Sequence, residues 1–304
     1  MDVTLPPPAE CPVGWIGLGV MGRSMAGHLL AAGHPLTVHT RTRSTAAELL
    51  DAGATWADTP AGVTERALVV ATMVGYPQDL SDVILGPRGA LAAMDEGTTL
   101  VDFTTSTPAL AIDIAEIAAT RGVESIDAPV SGGDVGARNA ALSIMVGGDA
   151  VAVERVRPLL DRLGTTVVRQ GGSGAGQHTK AVNQTLVAGT MIGLCEAIAY
   201  ARTVGLDPAT VLESVSGGAA ASWALTNLAP RILRDDLEPG FAIKHFTKDL
   251  GIVLGECARA GITLPGVELA HRLYSDLTAA GHGRRGTQAL IMAIDTGAPH
   301  AREH

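Results

Sequence analysis

A chain of 304 residues, 46% hydrophobic and 3% aromatic, has room for about two domains and enough apolar residues to give each a core of Ala, Val, Leu and Ile. That composition excludes a disordered protein. The formal net charge of −9, with no basic tail or stripe, argues against nucleic acid as a partner and leaves any acidic substrate to be held by local groups.

Cys11, Cys195 and Cys257 are widely separated and lack metal-ligand spacing, so no metal is expected, and reduced thiols in the cytoplasm are. Residues 1–10 hold Pro6-Pro7-Pro8 and neither the basic nor the apolar region of a signal peptide. The longest apolar run, 185–199, includes Glu196 and falls short of a membrane span, so no membrane association is expected.

Val13 to Ile16 predicts a short buried strand. It feeds Gly17-Leu18-Gly19-Val20-Met21-Gly22 and a helix from Arg23 to Ala32 that stops at Gly33. A second strand, Leu36 to Thr40, closes a βαβ unit. A G-x-G-x-x-G run is weak alone, but following a strand and opening a helix it is the context of a dinucleotide site. The glycines allow a tight turn and close backbone approach, and the helix start faces the pyrophosphate. Residues 17 to 22 are therefore cofactor-binding candidates.

The end of the second strand chooses between the two nicotinamide dinucleotides. An NAD site wants an acid there for the ribose hydroxyls. Thr40-Arg41-Thr42-Arg43 offers two hydroxyls and two guanidinium groups instead, which suits a 2′-phosphate. Thr40, Arg41 and Thr42 are assigned to the cofactor, which is expected to be NADP, with NAD the alternative.

Further on, Ser44 to Ala52 predicts a helix, and the apolar run 67–74 a strand buried on both faces; Met73 in that run joins the cofactor set. Helices over 77–85, 108–120 and 149–163 alternate with strands over 99–103, 123–127, 142–146 and 165–169, the pattern of a mostly parallel sheet covered by helices. Two polar stretches leave strand ends. Asp102-Phe-Thr-Thr105-Ser-Thr-Pro108 could cap the next helix or border the nicotinamide. Asp127-Ala-Pro-Val-Ser131-Gly132-Gly133 is either a tight turn or a set of backbone N–H groups for a carboxylate.

After Gly171-Gly172 the pattern changes to helices alone: 177–204, a helix opened by Asp207-Pro208, then 220–233, 244–260, 266–280 and 287–294. The domain boundary is placed accordingly, with 12–172 binding the dinucleotide and 173–304 all-helical. Gly189 and Gly193, four apart in the long helix, predict close packing of another helix.

Lysine is confined to residues 180, 244 and 248, against nineteen arginines. An ammonium group can trade a proton where guanidinium cannot, so Lys180 is the candidate catalytic acid. Asn183 and Gln184 share its helix face. Lys244 and Lys248 are one turn apart, which suggests an anion beside them; Lys248 with Asp249 could equally form ordinary helix-surface contacts.

Taken together, the chain resembles the β-hydroxyacid dehydrogenase family, which includes 3-hydroxyisobutyrate dehydrogenase and tartronate semialdehyde reductase (2-hydroxy-3-oxopropionate reductase). The resemblance spans about residues 12–295 and rests on four motifs in the family's order. These are the glycine loop running on through Met21-Gly22 to Met25-Ala26, D-A-P-V-S-G-G at 127–133, G-x-G-x-x-x-K-x-x-N at 174–183, and K-D-L at 248–250. The departures are His28, Thr104, Val74-Gly75 and Gln184, where members often have Asn, Ser, Leu-Pro and Asn.

The resemblance implies an α/β Rossmann-type N-terminal domain with a mostly parallel sheet, joined by a long helix to an all-α C-terminal domain that serves substrate binding and oligomerisation. It implies Lys180 as general acid–base, Ser131, Gly132 and Gly133 on the substrate carboxylate, Asn183 or Gln184 orienting the substrate, and Thr105 and Lys248 against the cofactor. The expected activity is NAD(P)-dependent interconversion of a small hydroxy acid and its semialdehyde by a homodimer or homotetramer. The rivals are an imine reductase, which by resemblance usually carries Asp or Tyr in place of Lys180, and a non-catalytic cofactor-binding relative.

Overall fold

The computed structural model describes residues 4–295. The chain divides between Lys180 and Ala181 into two compact units.

The first unit runs β1 (Val13–Ile16), α1 (Val20–Ala31), β2 (Leu36–His39), α2 (Ala47–Asp51), β3 (Thr55–Trp56), β4 (Val69–Thr72), α3 (Pro77–Leu85), β5 (Thr99–Asp102), α4 (Pro108–Ala119), β6 (Glu124–Asp127), β7 (Val130–Ser131), α5 (Gly133–Arg138), β8 (Leu142–Gly147), α6 (Ala150–Leu160) and β9 (Gly164–Gly171). The sheet order is β3-β2-β1-β4-β5-β6-β8-β7, with β9 beside β8. Pairing is parallel from β3 to β6 and between β8 and β9; β8 is antiparallel to β6 and β7. The mostly parallel sheet expected from the alternating pattern is thus present.

Strand alternation explains how one sheet feeds two cores. Val13, Trp15, Val38, Val101 and Ile126 face one side, joined by Met25 and Leu29 of α1 and Val153 and Val156 of α6. Ile16, Val70 and Leu100 face the other, against Leu80 and Ile84 of α3 and Ile114 of α4. Trp15 stacks on Phe103 with ring centroids 5.7 Å apart. Truncating so large a buried ring typically costs about 3–5 kcal/mol.

Three short elements lie outside the sequence reading. β3 and β7 have two residues each, too few for any periodicity, and α5 contains Gly133 and Gly136, which weaken its helical signal. The segment expected as one helix from Ser44 begins instead as a 3₁₀ turn, Arg43–Ala46.

In the second unit the helix expected over 177–204 is α7 (Ala175–Thr203), which begins in the first unit. It is followed by α8 (Pro208–Val215), α9 (Trp223–Asn227), α10 (Ala229–Leu233), α11 (Ile243–Ala260), α12 (Pro265–Leu277) and α13 (Ile291–Ile294). Asp207 caps α8, accepting from the amides of Ala209 and Thr210. The stretch 220–233 is two helices, because Pro230 cannot continue a ladder and begins α10 afresh. Among the described residues this unit has no strand, its one β-bridge being Ala242 with Gly286. Its core centres on Phe246, which meets Phe241 and Tyr274 edge-on; the Tyr274 hydroxyl donates to Thr287 O at 2.8 Å.

The close packing expected at Gly189 and Gly193 is not found: a Cβ at either would meet nothing within 4 Å. These glycines lie instead on an open stripe of α7 with Val182, Leu186 and Tyr200, and Val204 just past the helix end continues it, all exposed. α7 is, among the described residues, the one helix long and apolar enough on average to cross a membrane, although its apolar run 185–199 by itself falls short of a span. Its other side, through Ala188, Met191, Cys195 and Ile198, belongs to the core.

Candidate active site

The register lines up one edge of the sheet. Ile16 is opposite both His39 and Thr72, Thr72 is opposite Asp102, and Asp102 is opposite Asp127. Every loop that leaves β1, β4, β5 and β6 therefore emerges along one row. The strand order reverses at β1, which has β2 on one side and β4 on the other, and ligands bind at such a switch point.

The glycine loop fills this place. Gly17 has φ +95°, and a Cβ there would lie 2.2 Å from Met73 O; a Cβ on Gly22 would lie 2.1 Å from Gly17 O. Only glycine closes this turn. At Gly19 nothing lies within 4 Å of a Cβ position, and Gly19 caps α1 without any side-chain acceptor for the first-turn amides. An open cradle in front of uncapped helix N–H groups fits a pyrophosphate. Val20 is exposed and Met21 half-buried, while Leu18 turns its side chain into the core, so Leu18 can offer such a ligand only its backbone.

Beyond β2, Thr40 is half-buried and Thr42 exposed. Arg41 pairs with Asp79 of α3 at 3.1 Å, its side chain 83% exposed. The Arg43 guanidinium stands 5.2 Å from the Trp56 ring centre. The carboxylate missing from the end of β2 is thus supplied to Arg41 by another element, which local reading could not find.

Beyond β5 and β6 lies a buried polar cluster. Asp102 Oδ1 accepts from Thr72 Oγ1 at 2.6 Å and from Thr104 N at 3.0 Å. Val74 N donates to Thr104 Oγ1 at 3.0 Å. Burial pushes the Asp102 carboxyl up to about 7 against those hydrogen bonds, and the charge of Asp127 adds to the rise. Asp127 is also raised by burial, opposed by the amides it receives.

Asp127 holds the start of α7: Gly174 N donates to its Oδ1 at 2.8 Å and Gln177 N to its Oδ2 at 2.9 Å. This contact explains both glycines of the G-x-G at 174–176. Gly174 has φ +86°, and a Cβ on Gly176 would sit 2.4 Å from Met145 O and 2.6 Å from Asp127 O. Gln177 in turn donates to Thr104 O at 2.8 Å and accepts from Ser106 N at 2.9 Å.

Lys180 lies one turn further along α7, 6% exposed, with Nζ donating to Val130 O at 2.9 Å. Val130 precedes Ser131, so the amine comes to the segment that carries Ser131, Gly132 and Gly133. All three are half-buried, and Gly132 (φ +131°) and Gly133 (φ +61°) have backbone that favours glycine. Thr105 and Met73 are half-buried at the ends of β5 and β4.

In the second unit Asn183 Nδ2 donates to Gln184 Oε1 at 2.7 Å, and Gln184 Nε2 to Asp249 Oδ2 at 2.6 Å. Lys248 Nζ is 2.9 Å from Asp249 Oδ1. The pair is not an ordinary helix-surface contact, since Asp249 is 2% exposed; Gln184, also 2% exposed, braces it. Lys244 is exposed. Among the described residues no group of three or more His, Cys, Asp or Glu is placed to hold a metal ion. Sequence reasoning passed over Gln177 and Asp79; for Gln177 the available signal was a polar residue one turn before Lys180.

Known proteins give this geometry its context. Residues 12–172 match the model for the NAD-binding domain of 6-phosphogluconate dehydrogenase, and residues 174–294 that for the NAD-binding of NADP-dependent 3-hydroxyisobutyrate dehydrogenase. A mitochondrial protein of Arabidopsis thaliana named as probable 3-hydroxyisobutyrate dehydrogenase-like 1 is 50% identical over 95% of this chain and 86% of its own. The 2-hydroxy-3-oxopropionate reductase of Escherichia coli (strain K12) is 36% identical over 95% of this chain and 98% of its own. The solved 3-hydroxyisobutyrate dehydrogenase of Mycobacterium tuberculosis, with L-serine, superposes with a TM-score of 0.85 at 28% identity, covering 93% of this chain and 99% of that one. An imine reductase from Pseudomonas sp. reaches a TM-score of 0.59 at 20% identity over 93% of this chain and 99% of its own, a likeness of fold alone. Matched by both family models across its Rossmann-type and helical parts, the chain belongs to the β-hydroxyacid dehydrogenase family and is an NAD(P)-dependent oxidoreductase.

Proposed function

We propose that this enzyme interconverts a small β-hydroxy acid and its semialdehyde, of the 3-hydroxyisobutyrate or 2-hydroxy-3-oxopropionate type, with Lys180 as general acid–base. The observation that carries the reading is a buried lysine whose amine reaches the backbone beside Ser131. When bound, the nicotinamide supplies or takes up the hydride. Lys180 Nζ polarises the substrate oxygen and moves the proton to or from it, a role typically worth about 10²–10⁴-fold. Ser131, Gly132 and Gly133 hold the substrate carboxylate, and Asn183 orients the substrate with Gln184 behind it.

Gly17, Leu18, Gly19, Val20, Met21, Gly22, Thr40, Arg41, Thr42, Met73, Thr105 and Lys248 are proposed to hold the dinucleotide, NADP in preference to NAD, with Arg41 on the 2′-phosphate. In this division of labour residues 12–172 form the dinucleotide-binding domain, which also lends Ser131, Gly132 and Gly133 to the substrate. Residues 173–304 form the helical substrate and assembly domain, which also lends Lys248 to the cofactor. The open apolar stripe of α7 supports a homodimer or homotetramer with a second copy seated on it, and its buried side supports a core helix rather than a membrane span. Three buried, unbridged cysteines accord with a reducing compartment, the cytoplasm, and the acidic balance with no nucleic-acid partner.

The test is an absorbance screen of short hydroxy acids, semialdehydes and a cyclic imine with both dinucleotides. Turnover of a β-hydroxy acid or its semialdehyde is the expected result. Turnover of the imine alone would overturn the reading.

A further inference from the structure

The side-chain amide of Gln177 does something the motif around Lys180 does not require. It is 1% exposed and reaches across to the segment beyond β5. There its Nε2 donates to Thr104 O and its Oε1 accepts from Ser106 N. These two backbone groups flank Thr105, the residue proposed to border the nicotinamide. One amide therefore grips the peptide on both sides of Thr105, as a neighbouring strand would.

The same residue is tied down behind. Its backbone N–H is one of the two amides received by Asp127. It lies three positions before Lys180, so both side chains project from one face of α7. On the far side, Thr104 is held by Asp102 and by Val74 N, which leaves the 104–106 segment little freedom to shift without breaking the Gln177 bonds.

We propose that Gln177 is a positioning residue that sets the Thr105 segment and Lys180 in register with each other, through two hydrogen bonds to the backbone of residues 104 and 106. This rests on the assignment of Lys180 and Thr105 above. The job needs one donor and one acceptor on a planar group of this length. Methionine fills similar space with neither, and glutamate keeps the acceptor but regains a donor only when protonated. Misplacing reacting groups by about an ångström can cost on the order of 100-fold in turnover.

The test uses the full chain with NADPH and tartronate semialdehyde. Gln177→Met is expected to lower kcat by roughly 100-fold, with KM for the aldehyde changed far less. Gln177→Glu is expected to be similarly slow at alkaline pH and to recover as pH falls and the acid becomes a donor to Thr104 O. The readout is the ratio of its kcat to that of the wild type, since every other titratable group is common to the two proteins and cancels. Turnover by Gln177→Met within twofold of wild type, or a Gln177→Glu ratio flat across the pH range, would overturn the proposal. So would failure of both variants to fold, which would make Gln177 a purely structural residue. Lys180→Ala separates this idea from its foundation. If that variant is dead while Gln177→Met is unimpaired, the clamp alone is wrong; if it stays active, the acid–base assignment is.

Discussion

Lys180 Nζ donates to the carbonyl oxygen of Val130 across 2.9 Å, so the amine is aimed by a backbone atom that no side-chain substitution can remove. Exchanging the lysine itself is therefore the informative change. Lys180→Ala should reduce kcat by about 10²–10⁴-fold and leave the NADPH dissociation constant nearly unchanged. Lys180→Arg should be almost as slow, because guanidinium keeps its charge and does not release its proton. Steady-state kinetics and fluorescence titration of NADPH check both; a Lys180→Arg enzyme near wild-type turnover would show that charge, not proton transfer, is what matters.

Arg41 and Asp79 form an ion pair whose basic partner is largely exposed, so the pair is worth at most about 1 kcal/mol and does not lock the guanidinium away from a phosphate. Arg41→Ser should lower kcat/KM with NADPH by roughly 10–100-fold and barely alter that with NADH, the loss of a charge-assisted hydrogen bond. Asp79→Asn should move the ratio modestly the other way, by releasing Arg41. An unchanged ratio in the Arg41 variant would remove that residue from cofactor choice.

The Asp102 carboxyl, pushed up by burial to about 7 from 3.8, ties stability to pH. Below the ordinary value both folded and unfolded states hold the proton. Between that value and about 7 only the folded state does, so stability falls as pH rises through this window and then levels off. The slope is at most about 1.4 kcal/mol per pH unit. Asp102→Asn keeps an acceptor for Thr72 and Thr104 and cannot ionise. Its urea midpoint should lose this dependence and exceed that of the wild type at about pH 8. A wild-type slope persisting in the variant would place the titration elsewhere.

Two glycines should respond with opposite signs. Gly176→Ala forces a Cβ to 2.4 Å from Met145 O and 2.6 Å from Asp127 O, both backbone atoms, and should destabilise by about 1–3 kcal/mol or more with loss of activity. Gly255→Ala lies inside α11 with nothing within 4 Å of the new methyl, and should stabilise by about 0.5–1 kcal/mol. Thermal melts of the two variants decide it.

What could be read from sequence was whatever local sterics dictate. The turn from β1 into α1 announces itself because its glycines meet atoms a few residues away or across one strand pair, and the Asp207-Pro208 start is a local cap. Relations spanning long stretches of chain were hidden. Asp127 to Gly174 crosses 47 residues, Gln177 to Thr104 crosses 73 and Arg41 to Asp79 crosses 38. Gly189 and Gly193 misled because small residues at helical spacing look alike whether a neighbour fills the groove or the surface stays bare. The break between α9 and α10 was missed although Pro230 marks it, since apolar periodicity carries on through it.

With Lys180 buried, Lys244 exposed and Lys248 half-buried, the molecule holds three side-chain amines in three different surroundings. Reductive methylation with isotope-labelled formaldehyde would accordingly yield a magnetic-resonance spectrum of a handful of lines. In it, the ionisation of each amine could be followed by name as ligands are added.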